Sequence, residues 1–170
     1  MNRGSLALFA VAASMIGADI AQAAPPGRGA PIVVNCTVTA GSINFGIYDP
    51  LAAGGDASTG ALRVACTGSG NGAARITVGV SLSAGLSGNF ATRTMLSGMN
   101  RLNYNIYWDP QYTVVMGDGT GGSSAGTAGP ITVFSGGSVQ ATGTMYGYVP
   151  ARQDVAAGSY SDIITVTVTY

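Results

Sequence analysis

Hydrophobic and polar residues alternate without interruption at the end of the chain, residues 164–170. Threonines occupy one face of this stretch, and the apolar residues share the other: Ile164, Val166, Val168 and Tyr170. A period of two predicts a β-strand with one buried face. Such a strand needs a neighbour on each side, because an unpaired edge is a template for another chain. The final strand is therefore a candidate interaction site.

The same alternation recurs in five earlier segments, each bounded by turn-forming residues. Their apolar positions are Ile32, Val34, Cys36 and Val38; Ile43, Phe45 and Ile47; Leu62, Val64 and Cys66; Ile76, Val78, Val80 and Leu82; and Leu102, Tyr104, Ile106 and Trp108. One more strand is predicted over residues 142–149. Because the strands are short and no amphipathic helix interrupts them, the pattern predicts an all-β fold, an immunoglobulin-like β-sandwich.

The beginning of the chain has the features of a secretory signal peptide. Arg3 supplies the positive charge, residues 6–17 form the apolar run, and a small-x-small cleavage site follows. The run is too short to cross about 30 Å of hydrocarbon, so we predict export and no membrane span. The predicted parts are a signal peptide, an N-terminal segment and one domain: residues 1–23, 24–34 and 35–170.

The two cysteines, Cys36 and Cys66, fit the oxidising compartment that export implies. Their even number and the lack of a CxxC motif favour a structural disulfide. Both residues lie on the inward faces of their predicted strands, so a bridge between two strands is expected.

Charge and residue usage exclude several classes of function. Removing Arg3 and Asp19 from the seven basic and seven acidic residues leaves six of each, so no basic surface for nucleic acid is expected. The chain has no histidine or lysine, and a serine nucleophile would lack its usual base. We predict no enzyme, cofactor or metal site. The aspartates lie in turn-like contexts and are expected to bond local backbone amides: Asp49, Asp56, Asp109, Asp118, Asp154 and Asp162.

Two stretches of low complexity, residues 24–31 and 117–129, contain too few apolar residues to offset the entropy of ordering and are predicted to be flexible. Glycine patterns at 68–72 and 117–122 open no helix that could hold a phosphate, so hairpin loops are predicted there.

Aromatic residues cluster in one region. Tyr104 and Trp108 fall on an inward face and are predicted to pack in the core. Tyr107 and Tyr112 stay open to a second interpretation, in which they and the loop after Gly117 form a small secreted glycan-binding module.

Several motifs together resemble the spore coat protein U domain, a family that also supplies subunits of archaic, Csu-type chaperone-usher pili. They are NCTVTAGSINFGIYDP, LRVACT, RTMLSGMNRLNYNIYWDP, GDGT and GTMYGYVPARQDVAAGSYSDIITVTVTY. Their combination is specific: a Cys precedes an FG-Y element, a second Cys ends a strand, R-M precedes L-Y-I-Y, and GSYSD opens the final strand. The resemblance covers residues 35–170.

The resemblance implies an incomplete sandwich that a donor strand from a partner completes. A periplasmic pilus chaperone would fill the groove first, and a neighbouring copy or related subunit would replace it at the outer-membrane usher. The implied product is a secreted surface fibre that supports adhesion and biofilm formation. The implied groove residues are Ile164, Val166, Val168 and Tyr170, and the possible donor residues are Ile32 and Val34.

The N-terminal segment departs from the family pattern. Three prolines that cannot donate ladder hydrogen bonds lie in it: Pro25, Pro26 and Pro31. Ile32 and Val34 also belong to the first predicted strand, and one residue cannot easily serve both roles. A spore or cell coat protein that does not polymerise therefore stays an alternative to the fibre subunit.

Overall fold

The computed structural model describes residues 30–170 in full and, before them, the backbone of residues 4–5 and 10–15. The strands in these parts are β1 (Gly4–Ser5), β2 (Ala10–Met15), β3 (Val33–Ala40), β4 (Ile47–Tyr48), β5 (Asp56–Ser69), β6 (Ala73–Leu82), β7 (Arg93–Ser97), β8 (Asn100–Tyr107), β9 (Gly126–Phe134), β10 (Ser138–Val149) and β11 (Ile163–Thr169). One turn of 3-10 helix, Gly85–Ser87, precedes β7. Across these residues the structure contains no helix with the length and hydropathy of a membrane span.

The longer strands form two sheets. One sheet has the order β3-β5-β10-β8-β7 and the other has the order β2-β11-β6-β9, while β1 pairs with β4. Within residues 30–170 the paired strands run antiparallel. The predicted all-β sandwich is confirmed.

The core lies between the sheets and is built from the inward positions that the alternation predicts. Removing these side chains from water is the main favourable contribution to folding. The buried residues include Cys36, Val38, Leu62, Val64, Cys66, Val78, Leu82, Leu102, Tyr104 and Ile106.

A disulfide connects β3 to β5. Cys36 lies directly opposite Cys66 in the antiparallel ladder, and their sulfur atoms are bonded. Both side chains are buried. The predicted structural disulfide is therefore confirmed.

The alternation fails at one predicted strand. It predicts that Ile47 faces inward with Ile43 and Phe45, but the Ile47 side chain is 60% exposed. Gly46 has a φ of 73°, a conformation that glycine adopts readily. The side chains after Gly46 therefore point to the opposite faces from those predicted, and Tyr48 is buried instead of Ile47.

The prediction of a flexible loop over residues 117–129 is wrong. From Gly126 onward this stretch belongs to β9. Before that, the Asp118 carboxylate accepts hydrogen bonds from the Thr120 hydroxyl and amide at 2.6 and 2.8 Å. These two bonds lower the pKa of Asp118. Side-chain-to-backbone bonds of this kind organise a loop that buries little apolar surface.

Candidate functional site

The inner face of β11 is the first part of the candidate site. Ile164, Val166 and Val168 are buried, as the alternation predicts. Tyr170 follows the end of the strand and is 37% exposed. Three of the four predicted groove residues therefore share one buried face, whereas Tyr170 lies at its margin.

The two edges of β11 have different neighbours. On one side β11 pairs antiparallel with β6, with Val166 opposite Leu82. On the other side it pairs in parallel with β2, whose residues 10–15 lie opposite residues 163–168. Within residues 30–170, β6 is the strand that forms a ladder with β11. The second neighbour thus comes from the part of the chain that we predict to be a signal peptide, most of which lies outside the described residues.

The opposite wall of this margin is β3. This strand contacts both β11 and β2, although it belongs to the other sheet. Its inward residues Cys36 and Val38 are buried. The candidate site is therefore the margin between β11 and β3, where β2 lies in this structure; we call it the acceptor margin.

The predicted donor residues lie at the start of the described chain. Val34 pairs with Gly68 in the ladder of β3 and β5, and Ile32 immediately precedes β3. The Asn71 amide donates to the Ala30 carbonyl at 2.9 Å. In this structure residues 30–34 are thus held by their own domain, and the rest of the predicted N-terminal segment, residues 24–29, lies outside the described residues.

A buried carboxylate fixes the beginning of β11. Asp162 accepts hydrogen bonds at Oδ1 from the amides of Leu86 and Ile163, at 2.8 and 2.7 Å. Its Oδ2 accepts a bond of 2.6 Å from the Tyr104 hydroxyl. Burial and the neighbouring Asp162 raise the pKa of Tyr104 well above its ordinary value, so this hydroxyl keeps its proton. Asp162 bonds a local amide, that of Ile163, as predicted for the aspartates, but it is buried and also joins two distant segments, which a turn role alone does not explain.

A buried arginine ties together the segments beside this carboxylate. The Arg93 guanidinium donates to the carbonyls of Ser83 and Met116, with shortest distances of 2.8 and 2.7 Å, and to Asn105 Oδ1 at 2.6 Å. It also lies 5.3 Å from the centre of the Phe90 ring. Burial lowers the pKa of Arg93. Because every donor nitrogen of the guanidinium has an acceptor, the charge organises the loops around it instead of destabilising the core.

Arg93 was not among the predicted residues and Asp162 was predicted only as a turn aspartate, yet the sequence contains a signal for both. Arg93 begins the R-M motif and Asp162 ends the GSYSD motif, the two elements that precede strands β8 and β11. Charged residues that recur at fixed places in a family motif are typical of buried hydrogen-bond networks as well as of reactive sites.

The other predicted chemistry is distributed over turns. Asp49 accepts a bond from the Leu51 amide at 2.9 Å, and Asp109 accepts bonds from the Thr113 and Val114 amides. These aspartates have the predicted turn role. Among the described residues, no group of three or more His, Cys, Asp or Glu side chains could hold a metal ion.

The aromatic cluster is half-buried and self-contacting. The Tyr112 ring stacks on Tyr148 with centroids 4.7 Å apart, and it meets Tyr107 edge-on at 5.6 Å. Tyr104 is buried as predicted, and Trp108 packs against the core. Since the stacked rings cover part of each other, this cluster offers a ligand less flat surface than separate tyrosines would.

The family model described as Spore Coat Protein U domain matches residues 28–167. Protein U of Myxococcus xanthus is 30% identical over 189 residues, and the match covers 100% of both chains.

A solved structure has a similar fold. It is the crystal structure of the CsuC-CsuE chaperone-tip adhesion subunit pre-assembly complex from the archaic chaperone-usher Csu pili of Acinetobacter baumannii. The TM-score is 0.55 at 21% identity, and the match covers 81% of this chain and 40% of the other. The chain thus spans less than half of that neighbour, and at this identity the likeness supports the fold alone.

Proposed function

The chain belongs to the Spore Coat Protein U domain family, and from this membership we propose that it is a secreted structural subunit of a surface fibre. Assembly would proceed by donor-strand exchange, in which a strand from one molecule completes the sheet of another. The subunit would pass through the periplasm and end in a fibre outside the cell that supports adhesion and biofilm formation.

The observation that carries this proposal is the second neighbour of β11. Residues 10–15 pair with this strand, and these residues belong to the segment that we predict to be cleaved on export. Cleavage would leave the outer edge of β11 without a strand. An exposed apolar edge of seven residues is a template for another chain, so the mature protein would need a partner at the acceptor margin.

The chemistry of the margin fits an incoming β-strand. Backbone groups of β11 would supply main-chain hydrogen bonds, which any extended segment can satisfy. Ile164, Val166 and Val168 would contact alternate side chains of the incoming strand. No charged residue interrupts β11, so the favoured partner is an apolar strand.

Three kinds of partner follow from this proposal. A periplasmic pilus chaperone would supply the first strand, an outer-membrane usher would catalyse its replacement, and a neighbouring copy or related subunit would supply the second. The similar solved structure contains a chaperone bound to a pilus subunit, and we propose a partner of the same kind for this chain.

The donor strand of this chain would come from residues 24–34. Ile32 can leave its place without breaking the ladder of β3 and β5, whereas Val34 is paired with Gly68. Ile32 and the residues before it are therefore better placed to enter a neighbouring molecule than Val34 is. The prolines of this segment limit the number of hydrogen bonds that it can donate.

A charge at the centre of the acceptor margin tests the proposal. We expect Val166→Asp to abolish capture by a co-expressed archaic-type chaperone, because a buried carboxylate would have no partner. Ile163→Asp is the matched control: it makes the same kind of change on the same strand, at a side chain that is 53% exposed. Chaperone co-purification and a heat-sensitive ladder of multimers in unheated gels are the measurements. Normal capture of the Val166→Asp protein would contradict the proposed margin.

A coat protein that does not polymerise is a second candidate, favoured by one observation. The bond between Asn71 and Ala30 and the ladder position of Val34 keep the N-terminal end on its own domain. Deleting residues 24–32 separates the two functions. A fibre subunit would lose the multimer ladder but keep chaperone capture, whereas a coat protein would be deposited at the cell surface as before.

A further inference from the structure

An apolar cavity of about 230 Å³ opens between the two sheets at the margin formed by β9 and β10. Its lining includes Leu62 and Val64 of β5 and Val80 of β6. None of its lining residues belongs to β11, so it is separate from the acceptor margin. We call it the β9–β10 cavity.

Small residues at three neighbouring inward positions leave the space of this cavity. They are Ala128 on β9 and Ala141 and Gly143 on β10. A Cβ atom added at Gly143 would meet no heavy atom within 4 Å, so the missing side chain leaves open space. The cavity is open to solvent on one side, where Gly143 is exposed. An apolar occupant would gain dispersion contacts with the lining and remove apolar surface from water.

Trp108 forms a fixed aromatic wall of the cavity. Its indole N–H donates to the Ser124 carbonyl at 2.9 Å. Its six-membered ring lies so close to the backbone of Gly126 that any side chain there would overlap it. With both constraints in place, the ring presents one orientation to the cavity, and a flat aromatic group can pack against it.

The cavity is limited in length and contains no charge. Toward the turn between β9 and β10, the larger residues Ile131, Val133 and Val139 belong to the packed core. The space therefore fits a single group and not a β-strand. No lining residue is titratable, and the two threonines that border the cavity, Thr127 and Thr142, are exposed. An apolar cavity of about 150 Å³ accommodates benzene, so this one has room for one substituted ring.

We propose that the β9–β10 cavity binds a small uncharged aromatic molecule of about one substituted ring, held against the Trp108 indole. The proposal does not depend on fibre assembly, because the cavity and the acceptor margin lie on different strands. Binding would be selective against charged analogues, since no side chain of the lining could pair with a charge.

Trp108 also provides the measurement, because it is the only tryptophan of the chain. The exported chain, labelled with 5-fluorotryptophan and carrying its chaperone where one is bound, gives one fluorine NMR signal from this residue. Toluene is the probe and benzoate is its charged counterpart. We expect a saturable shift of the signal with toluene and none with benzoate.

Variants on both walls keep the test decisive. Gly143→Leu and Ala128→Leu should each fill the cavity and remove the toluene shift. Thr144→Leu adds the same side chain at an exposed position on β10 and should leave the shift unchanged. A linear, unsaturable response to toluene, or a shift that survives in both filled variants, would overturn the proposal. So would a signal that moves with protein concentration before toluene is added, because a side chain of a second copy would then be the occupant.

Discussion

The two strands that flank β6 differ in what they offer a further strand: β9 is an edge of the sheet, and β11 would become one if β2 were cleaved as proposed. On one side, β11 is an uninterrupted run of Ile, Val and Thr that carries a parallel neighbour. On the other, β9 contains Gly129 and Pro130 where its register against β6 shifts between Ile76 and Val78. A proline has no amide to donate, and a register shift bends the strand. β11 is therefore suited to pair with a further strand, and β9 is not.

A domain with one accepting edge can bind a partner strand without uncontrolled association. A sandwich with two accepting edges would stack in both directions. Here β9 is interrupted and the space behind it remains as the β9–β10 cavity, whereas β11 is continuous along a buried apolar face. Two residues, Gly129 and Pro130, make β9 an interrupted strand, whereas β11 has no such residue.

Removing the disulfide should have the largest effect, both on stability and on the difference between β11 and β9. The double change Cys36→Ser and Cys66→Ser opens a loop with a sequence separation of 30, so the free energy of unfolding should fall by roughly 3 kcal/mol. Because the bridge holds β3, amide exchange should accelerate in β3 and β11 more than in β9. Urea denaturation and hydrogen exchange measure the two effects. Equal denaturation midpoints for the oxidised and reduced wild-type protein would show that the bridge is not structural.

Removing the carboxylate before β11 should have a somewhat smaller effect. Asp162→Ala leaves the Tyr104 hydroxyl and the Leu86 amide without their acceptor, and we expect unfolding to become easier by about 2 to 3 kcal/mol. Asp118→Ala is the control, because that carboxylate is solvent-exposed in a loop and its loss should change the midpoint far less. If the two variants denature at the same urea concentration, the buried network does not anchor β11.

Removing the proline from β9 should have the smallest effect on stability. It tests most directly whether β9 and β11 differ in their ability to pair with another strand. Pro130→Val restores an amide donor at an edge position, so stability should change by no more than about 1 kcal/mol while aggregation during refolding increases. Light scattering during chaperone-free refolding measures this. Pro110→Val, in a turn outside both sheets, should scatter like wild type. Equal scattering by all three proteins would mean that Pro130 does not protect the edge.

The strands could be predicted from the sequence because their signal is local. Alternation identified the inward residues of β5, β8 and β11, and the two inward cysteines indicated the bridge. The prediction failed at Ile47, where the backbone of a single glycine turns the chain over. It also failed where glycines of β9 were interpreted as a loop, since small residues resemble a linker until their partner strand β6 is known.

The polar network and the cavity could not be predicted because their members are far apart in the chain. Asp162 meets Tyr104 and Leu86 across 58 and 76 positions, so its context in the sequence suggested only a turn. The small residues of β9 face those of β10 across the two sheets. The alternation within one strand does not indicate which residues of the other strand lie opposite. The acceptor margin was indicated by the regular final strand, while its second wall, β3, became visible only in three dimensions.

The cross-strand bridge has a mechanical consequence for a fibre built as proposed. Tension on the N-terminal segment would enter the domain at Val33 and reach Cys36 three residues later. From there the covalent bond would transmit the force directly to Cys66 in β5. The chain between the two cysteines, with a sequence separation of 30, could not unfold and extend under this force. The disulfide would therefore prevent about 100 Å of extension per subunit. A reducing agent would turn a stiff fibre into an extensible one.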